Sequence, residues 1–424
     1  MYRTQKAMSF SSSSVLAREI SDVPNTTPVT PGMKVAVLTG GFDKPYTVGL
    51  TLALATQNLR LDVIGGDDVD SPDMHSSGNL NFLNLRGTKG KGSLAAKVWR
   101  VLIYHARLLR YAAVSEAQIF HILWNNKFEF FDRTVLMLYY KLLGKKIVRT
   151  AHNVNAGKRD SNDSLLNRIT LRVQYHLSDH IFVHTEKMKR ELLHEFDVQE
   201  QAVTVIPFGI NNSVPNTALT PRAAKRRLGI EDGGKTVLFF GAIRPYKGLE
   251  YLVDGFLQLA ADHPEYRLII AGQPMKGYGK YLEGIQRTID SHTSSGQVIQ
   301  KIQFIPDDET ELYFKAADVL ALPYTHVFQS GVLFLAHSFG LPVVAADVGS
   351  LKDDIVEGWN GYLCKPCDSG NLARAIKRYF ESDLFRTLDS QRRAIRDRAN
   401  QQHSWDAVGE ITRSVYARLT ARAS

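Results

Sequence analysis

Residues 237–248 read VLFFGAIRPYKG, an apolar run that stops at Gly241 and gives way to Arg244, Pro245, Tyr246, Lys247 and Gly248. Leu249, Leu252, Val253, Phe256, Leu257 and Ala260 then recur at helical spacing, so the stretch reads as buried strand, short turn and amphipathic helix. A strand buried on both faces and followed by a helix belongs to a parallel sheet covered by helices. Arg244 and Lys247 stand where that helix begins, beside unpaired N–H groups and a partial positive charge that already favour an anion. A solvated basic turn would carry the same residue types. The strand-end position and apolar flanks favour an anion site, with a diphosphate as the obvious occupant.

The same pattern extends in both directions. Apolar runs fall at 34–39, 61–65, 119–124, 146–151, 180–185 and 203–206, and again at 236–241, 267–271, 301–305, 318–323 and 342–346. Helical patterns separate most of them, and a polar link rich in Asn, Pro and Gly (209–235) divides the two series. The fold class expected is α/β, with two Rossmann-like, doubly wound parallel-sheet domains and a hinge near 207–217. Residues 33–208 make the first domain and 209–392 the second. The helices of 393–424 cross back to the first. Ligands of such sheets bind beyond the carboxyl ends of the strands, so two facing domains enclose one cleft.

At 424 residues the chain is long enough for two cores, and 44% hydrophobic with 22% charged residues is the balance of a soluble globular protein. A formal charge of +9 suits anionic partners: phosphates, nucleotides or an acidic membrane surface. No nucleic-acid reader motif accompanies that charge, and nucleic acid is not expected as a partner. Two cysteines exclude a disulfide framework and suit a reducing compartment. The longest apolar stretch (332–346) is broken by His337, Gly340 and Pro342 and is too short to cross a bilayer. Residues 1–32, rich in Ser, Thr and Pro without an apolar segment, read as a disordered tail. A cytoplasmic location follows, with peripheral attachment to the membrane's inner face as an option.

Two places in the first half point toward the cleft. Gly40 and Gly41 follow a strand directly and precede a helix, where glycine permits close backbone approach or a strained turn. His152, in IVRTAHNVNAG, ends another strand. A lone histidine is more often a satisfied structural residue; this one is placed where a ligand would lie. His121 and His184, also in strand patterns, are read as structural.

GAIRPYKGLEYLVDGF, RLIIAGQP, IPDDETELYFKAADVLALPY, QSGVLFLAHSFGLPVVAADVGS and IVEGWNGYLCKP, in that order and spacing, resemble the nucleotide-sugar domain of GT-B glycosyltransferases of family 4. The resemblance extends over the chain from about residue 33. It implies the GT-B fold and transfer of a sugar from a nucleotide-diphosphate donor with retention. It also implies that Arg244 and Lys247 neutralise the departing diphosphate, and that His152 contacts the donor sugar. The Gly40–Gly41 loop would approach sugar and acceptor. No cofactor or metal is expected, since the cations do the neutralising. The acceptor would be carbohydrate or lipid-linked, in polysaccharide or glycolipid synthesis.

One departure from the family pattern stands out. Many members carry two glutamates, seven residues apart, at positions that here hold Val327 and Leu335; no glutamate occurs between Glu311 and Glu357. Gln329 and Ser330, with the backbone amides of Gly331 and Val332, are the candidates to replace them. Loss of catalysis, leaving a nucleotide-sugar-binding protein, is the competing explanation, and an epimerase on the same plan is a third reading. Three weaker signals remain. Asp68 and Asp70 have a metal-like spacing but read as a solvated acidic loop. Cys364 and Cys367 have a redox-like spacing but no second pair. The basic helix within 89–111 sets Lys97, Arg100, Tyr104 and Arg107 on one face and Val98, Val101, His105 and Leu108 on another, which suits a packed helix or contact with anionic lipid.

Overall fold

Seven parallel strands form the first sheet: β1 (Lys34–Leu38), β2 (Arg60–Gly65), β3 (Leu80–Asn84), β4 (Ile119–Ile122), β5 (Lys146–Thr150), β6 (His180–Val183) and β7 (Val203–Val205). The computed structural model describes residues 33–421 apart from 42, 88–92, 127, 161 and 293–295, so the tail expected at 1–32 lies outside the described residues. The strand order is β3-β2-β1-β4-β5-β6-β7. Six further strands make the second sheet in the order β10-β9-β8-β11-β12-β13: β8 (Lys235–Phe240), β9 (Tyr266–Ala271), β10 (Val298–Lys301), β11 (Val319–Leu322), β12 (Val343–Ala346) and β13 (Gly361–Cys364). In each, the chain winds outward one way and then returns to the other side of the first strand. The switch points therefore fall at β1/β4 and β8/β11, where an open α/β sheet leaves its binding crevice.

Alternation along the strands builds a core on each face. Val35 and Val37 of β1 enter one cluster, Ala36 and Leu38 another. In β8, Val237 and Phe239 face one way and Leu238 the other.

The covering helices of the first sheet are α1 (Lys44–Ala55), α2 (Leu94–Val114), α3, α4 (Leu165–Leu177) and α5 (Glu186–Phe196). Helix α3 runs through Glu129–Phe131, a π turn at Asp132–Leu136 and Met137–Leu142. In the second half, α6 (Leu249–Asp262) follows the cationic turn, and α7 (Gly331–Ser338) is the short helix after β11.

The end of the chain binds the halves together. Helix α8 (Leu388–Gln402) stays with the second sheet: Ile395 is in its core and Arg392 Nη2 donates to the Ala317 carbonyl at 2.6 Å. The return to the first half thus comes after 402, later than the expected 393. Helix α9 (Trp405–Ala421) lies on α1, and its Tyr416 hydroxyl meets His121 Nδ1 at 2.6 Å. Trp405 enters between Gly49 of α1 and Gly209 of the link, where any Cβ would collide with the indole. Its Nε1 donates to the Ile210 carbonyl at 2.9 Å.

Several sequence expectations change. β3 and β13 were not anticipated, and the strand expected at 301–305 lies at 298–301, where pairing with β9 holds it. On α2 the faces differ from those expected. Tyr104 is buried, its hydroxyl donating to Asn126 at 2.7 Å, while Val98 faces solvent.

Candidate active site

The two switch points face each other across the halves. From the second, β8 ends in Gly241, and Pro245–Lys247 forms a tight turn closed by Gly248 at φ 65° before α6 begins. A Cβ on Gly248 would strike the Pro323 carbonyl, so this left-handed position needs glycine for space as well as for φ. Gly272 similarly brings the end of β9 against the Gly241 carbonyl.

This folding places Lys247 inward, with only 7% of its surface exposed. Its ammonium lies 5.8 Å from the Tyr324 ring centre and close under Gly241, where a Cβ would sit 3.0 Å from Nζ. Burial, and after it the charge of Arg244, lowers its pKa to about 8. No carboxylate contributes to that shift. A buried cation with a second cation beside it and no acid opposite is an arrangement that an anion would neutralise.

Helix α7 starts from the neighbouring β11 loop. Ser330 stands at its N-terminus without capping it; its hydroxyl is 3.2 Å from that of Tyr324, whose ring faces Lys247. Uncapped N–H groups of the first turn remain open to a ligand. Val332 approaches Gly241, and Gly331 lines one hollow with Phe208, the residue just before the link. Gln329 Oε1 is buried with no hydrogen-bond partner among the described residues. Gln329, Ser330, Gly331, Val332 and Lys247 are therefore brought to one wall. Arg244 stands half-buried beside them.

The opposite wall comes from the first half. Gly40 and Gly41 have φ 62° and 74°, and a Cβ at Gly40 would meet Trp124 at 2.7 Å. At Gly41 it would meet the Arg86 guanidinium. Asp43 caps α1 by accepting from Tyr46 N–H at 3.1 Å, and burial raises its pKa. The His152 ring is stacked on Trp124 at 4.2 Å and edge-on to Tyr46 at 4.6 Å. Burial and then the neighbouring His184 hold it well below the usual imidazole pKa, so it is neutral. Its Nδ1 is 3.1 Å from His184 Nε2, while its Nε2 has no partner among the described residues.

Two hollows lie where the halves meet, and neither is lined by Lys247, Arg244 or His152. One, of about 230 Å³, is lined by Asp43, Tyr46, Phe208, Gly331, Val332 and Leu335. The other, of about 700 Å³, includes His184, Lys187, Phe208, Gln329, Ser350 and Lys352. Phe208 borders both, packs on His184 at 4.9 Å and stacks on Phe334 of α7 at 5.2 Å, linking the two halves.

Arg86 was missed by sequence reasoning. Nothing in its neighbourhood marked it; it reaches the Gly41 loop from the end of β3, donating to Asn126 at 2.8 Å and lying over Tyr104. His184, read as structural, touches His152 directly. Val327 and Leu335, at the family's glutamate positions, are both buried apolar residues. Asp70 is paired with His75, and no three His, Cys, Asp or Glu side chains converge on a metal-sized site among the described residues. Cys364 and Cys367 are not joined.

With this geometry in view, comparisons with known proteins agree on both halves. Residues 45–214 match the family model "Glycosyltransferase Family 4" and residues 222–402 match "Glycosyl transferases group 1". The D-inositol 3-phosphate glycosyltransferase of Corynebacterium diphtheriae is 28% identical over 286 residues, 64% of each chain. That of Corynebacterium glutamicum is 28% identical over 233 residues, 51% of this chain and 54% of that one. This chain thus spans about two thirds or less of those relatives' lengths. Among solved structures, Anabaena HepE with UDP and glucose superposes with a TM-score of 0.71 at 18% identity, covering 91% of this chain and all of that one. Sucrose-phosphate synthase from Thermosynechococcus elongatus gives 0.72 at 19% identity, over 92% of this chain and 100% of that one.

Proposed function

Since this chain belongs to the GT-B glycosyltransferases of family 4 type, we propose that it moves a sugar from a nucleotide-diphosphate donor to an acceptor hydroxyl, with retention at the anomeric carbon. The observation that carries this reading is Lys247, a buried cation beside Arg244 with no carboxylate to neutralise it.

The donor's diphosphate lies against Lys247 and Arg244, with the open N–H groups of Gly331 and Val332 completing the anion site. Negative charge grows there as the bond from the anomeric carbon to the β-phosphate oxygen breaks, and preorganised donors in a water-poor crevice lower that barrier. Gln329 and Ser330 hold sugar hydroxyls in place of the absent glutamates, and His152 holds another from the opposite wall. The acceptor oxygen then bonds to the anomeric carbon and its proton passes to the leaving phosphate. The positions that hold acids in many relatives are apolar here, and no enzymic nucleophile is assigned. The backbone at Gly40 and Gly41, with Arg86 against it, forms the acceptor side.

HepE is described with UDP-glucose and the curated relatives act on an inositol phosphate. A UDP-sugar and a phosphate-bearing or lipid-linked carbohydrate acceptor are accordingly the first substrates to try, in polysaccharide or glycolipid synthesis within the cytoplasm. A panel of nucleotide sugars screened by thermal shift tests the reading, because a ligand that prefers the folded form raises the melting temperature. Lys247→Ala should abolish the shift given by the best donor; an undiminished shift would overturn the assignment. Products formed from donor alone would indicate the epimerase instead, and donor binding without turnover on any acceptor the inactive binder.

A further inference from the structure

We propose that the outer surface of α2, α3 and α4 docks on an anionic phospholipid bilayer. The large apolar side chains that stand most exposed in the described residues are not scattered: all but Met275 and Phe304 lie on or beside these three helices. Val98, Trp99 and Leu102 are exposed on α2, Phe128, Phe130, Leu138 and Leu142 along α3, and Leu165, Leu166 and Ile169 on α4. Trp99 is 64% exposed and Leu165 75%. Single exposed apolar residues need no explanation, but a contiguous set marks an interaction surface.

Contiguity follows from packing. The hydroxyl of Tyr139 on α3 donates to the Leu109 carbonyl of α2 at 3.2 Å, and Arg133 Nη1 of α3 donates to Asn167 of α4 at 2.8 Å. The three helices cover one face of the first sheet, side by side. Each begins beyond the carboxyl end of its strand (β3, β4 or β5), which is the end that meets the cleft. The exposed apolar residues run the length of this face, from Phe128, Phe130, Leu165 and Leu166 at the helix starts to Val114 and Leu142 at the helix ends.

Charge selects the occupant. Residues 94–114 carry Lys97, Arg100, Arg107 and Arg110 and no acid. Two copies of the chain meeting through this face would set those cations against each other, whereas anionic headgroups would complement them. Exposed Trp and Leu beside Lys and Arg is the pattern of a helix lying in a bilayer interface. Independently, a surface pocket of about 480 Å³ opens between α4 and α5, with Leu165, Ile169 and Phe196 in its apolar lining and Lys158, Arg168 and Arg172 around it. Lys158 and Arg168 are paired with acids, while Arg172 donates to the Glu195 backbone carbonyl. The apolar floor continues the exposed Leu165 and Ile169 of α4 and suits the start of an acyl chain, while the rim carries Glu195 as well as the three cations.

The inference stands apart from the transferase reading, since membrane binding needs neither donor nor acceptor. The full chain should float with vesicles of phosphatidylglycerol and phosphatidylcholine, stay behind with phosphatidylcholine alone, and be released by high salt. Trp99→Glu combined with Leu102→Glu should abolish flotation with an unchanged melting temperature, the sites being exposed. Arg107→Gln and Arg110→Gln should each lower the partition coefficient about fivefold. Equal recovery with both vesicle types, or flotation indifferent to Trp99 and Leu102, would overturn the proposal. So would self-association that the Trp99 change abolishes in the absence of flotation, which would assign the face to a second copy.

Discussion

His184 Nε2 stands 3.1 Å from His152 Nδ1, and His184 Nδ1 faces the Ile206 carbonyl at 3.4 Å. A carbonyl can only accept, so the proton of His184 is on Nδ1 and its Nε2 is the acceptor. His152 must then donate through Nδ1, which leaves the lone pair on its buried Nε2, an atom with no partner among the described residues. The pair fixes a neutral imidazole whose second nitrogen can accept a hydrogen bond, as the proposed contact with a sugar hydroxyl requires.

Replacing His184 by Phe removes the acceptor and frees His152 to flip tautomer. A loss of about tenfold in kcat is expected from one weakened hydrogen bond. Affinity for the nucleoside diphosphate alone should not change, because the proposed diphosphate site is on the Lys247 wall. His184→Gln, whose amide oxygen can accept, should restore most of the rate. A loss in both variants alike, or one carried by diphosphate affinity, would reduce His184 to a structural residue.

Acid should unfold this protein early. His121 is held at about 3 and His180, His184 and His337 at about 4, each mainly by burial, against an ordinary 6.5. Below pH 6.5 the unfolded chain takes up protons that the fold refuses, so stability falls with pH until those folded values are reached. Each group contributes about 1.4 kcal/mol per pH unit, and four together rival the ~5–15 kcal/mol that hold a domain. Protonating His121 would also disturb its bond to Tyr416, the anchor of α9. Thermal melts between about pH 7 and about pH 5 should show a steep decline; a flat profile would mean that these imidazoles are not buried as described.

What the sequence made legible was whatever local patterning dictates. Strands buried on both faces read as unbroken apolar runs, and β8 with its cationic turn and α6 could be placed almost to the residue. β3 was missed because its polar alternation, Asn81 and Asn84 among Leu80, Phe82 and Leu83, is that of a half-exposed edge. β13 sits at the other kind of edge, four residues long, and carries too little pattern. Gly40, Gly41 and His152 were singled out from their positions at strand ends. Arg86 was not, because its role depends on β3 lying two strands from β1, a fact of topology that no local window contains. His184 was dismissed for a related reason: only the adjacency of β5 and β6 brings its ring to His152.

Trp405 acts as a latch. Its indole fills the space left by Gly49 and Gly209 and donates to the Ile210 carbonyl, joining α9 to both α1 and the interdomain link. Trp405→Ala should cost about 3 kcal/mol, as truncation of a large packed aromatic does. Gly209→Ala should also destabilise, by collision rather than cavity. If denaturant melts find either variant as stable as the parent, the C-terminal helix is not fastened through this contact.

Chelation should leave transfer intact. The anion site proposed here is built from Lys247, Arg244 and backbone amides, and Asp70 is already paired with His75. Rates measured with and without EDTA, after exhaustive dialysis, should agree within error. A rate restored only by added magnesium or manganese would show that the cations are insufficient to carry the leaving diphosphate.

Lys247 sets stability against binding, and pH separates the two. Its pKa lies at about 8 in the fold and 10.5 when unperturbed, because burial and then Arg244 penalise the charge. Between those values the unfolded chain holds a proton that the fold has released, so the free protein gains stability as pH rises through this window. Donor affinity should move the opposite way, weakening by up to about tenfold per pH unit once the ammonium is lost above pH 8. Lys247→Met makes the same point at neutral pH: it removes a buried unneutralised cation and should stabilise the free protein by up to about 3 kcal/mol, while donor binding disappears. A variant both less stable and still able to bind donor would show that the ammonium serves the fold and not an anion.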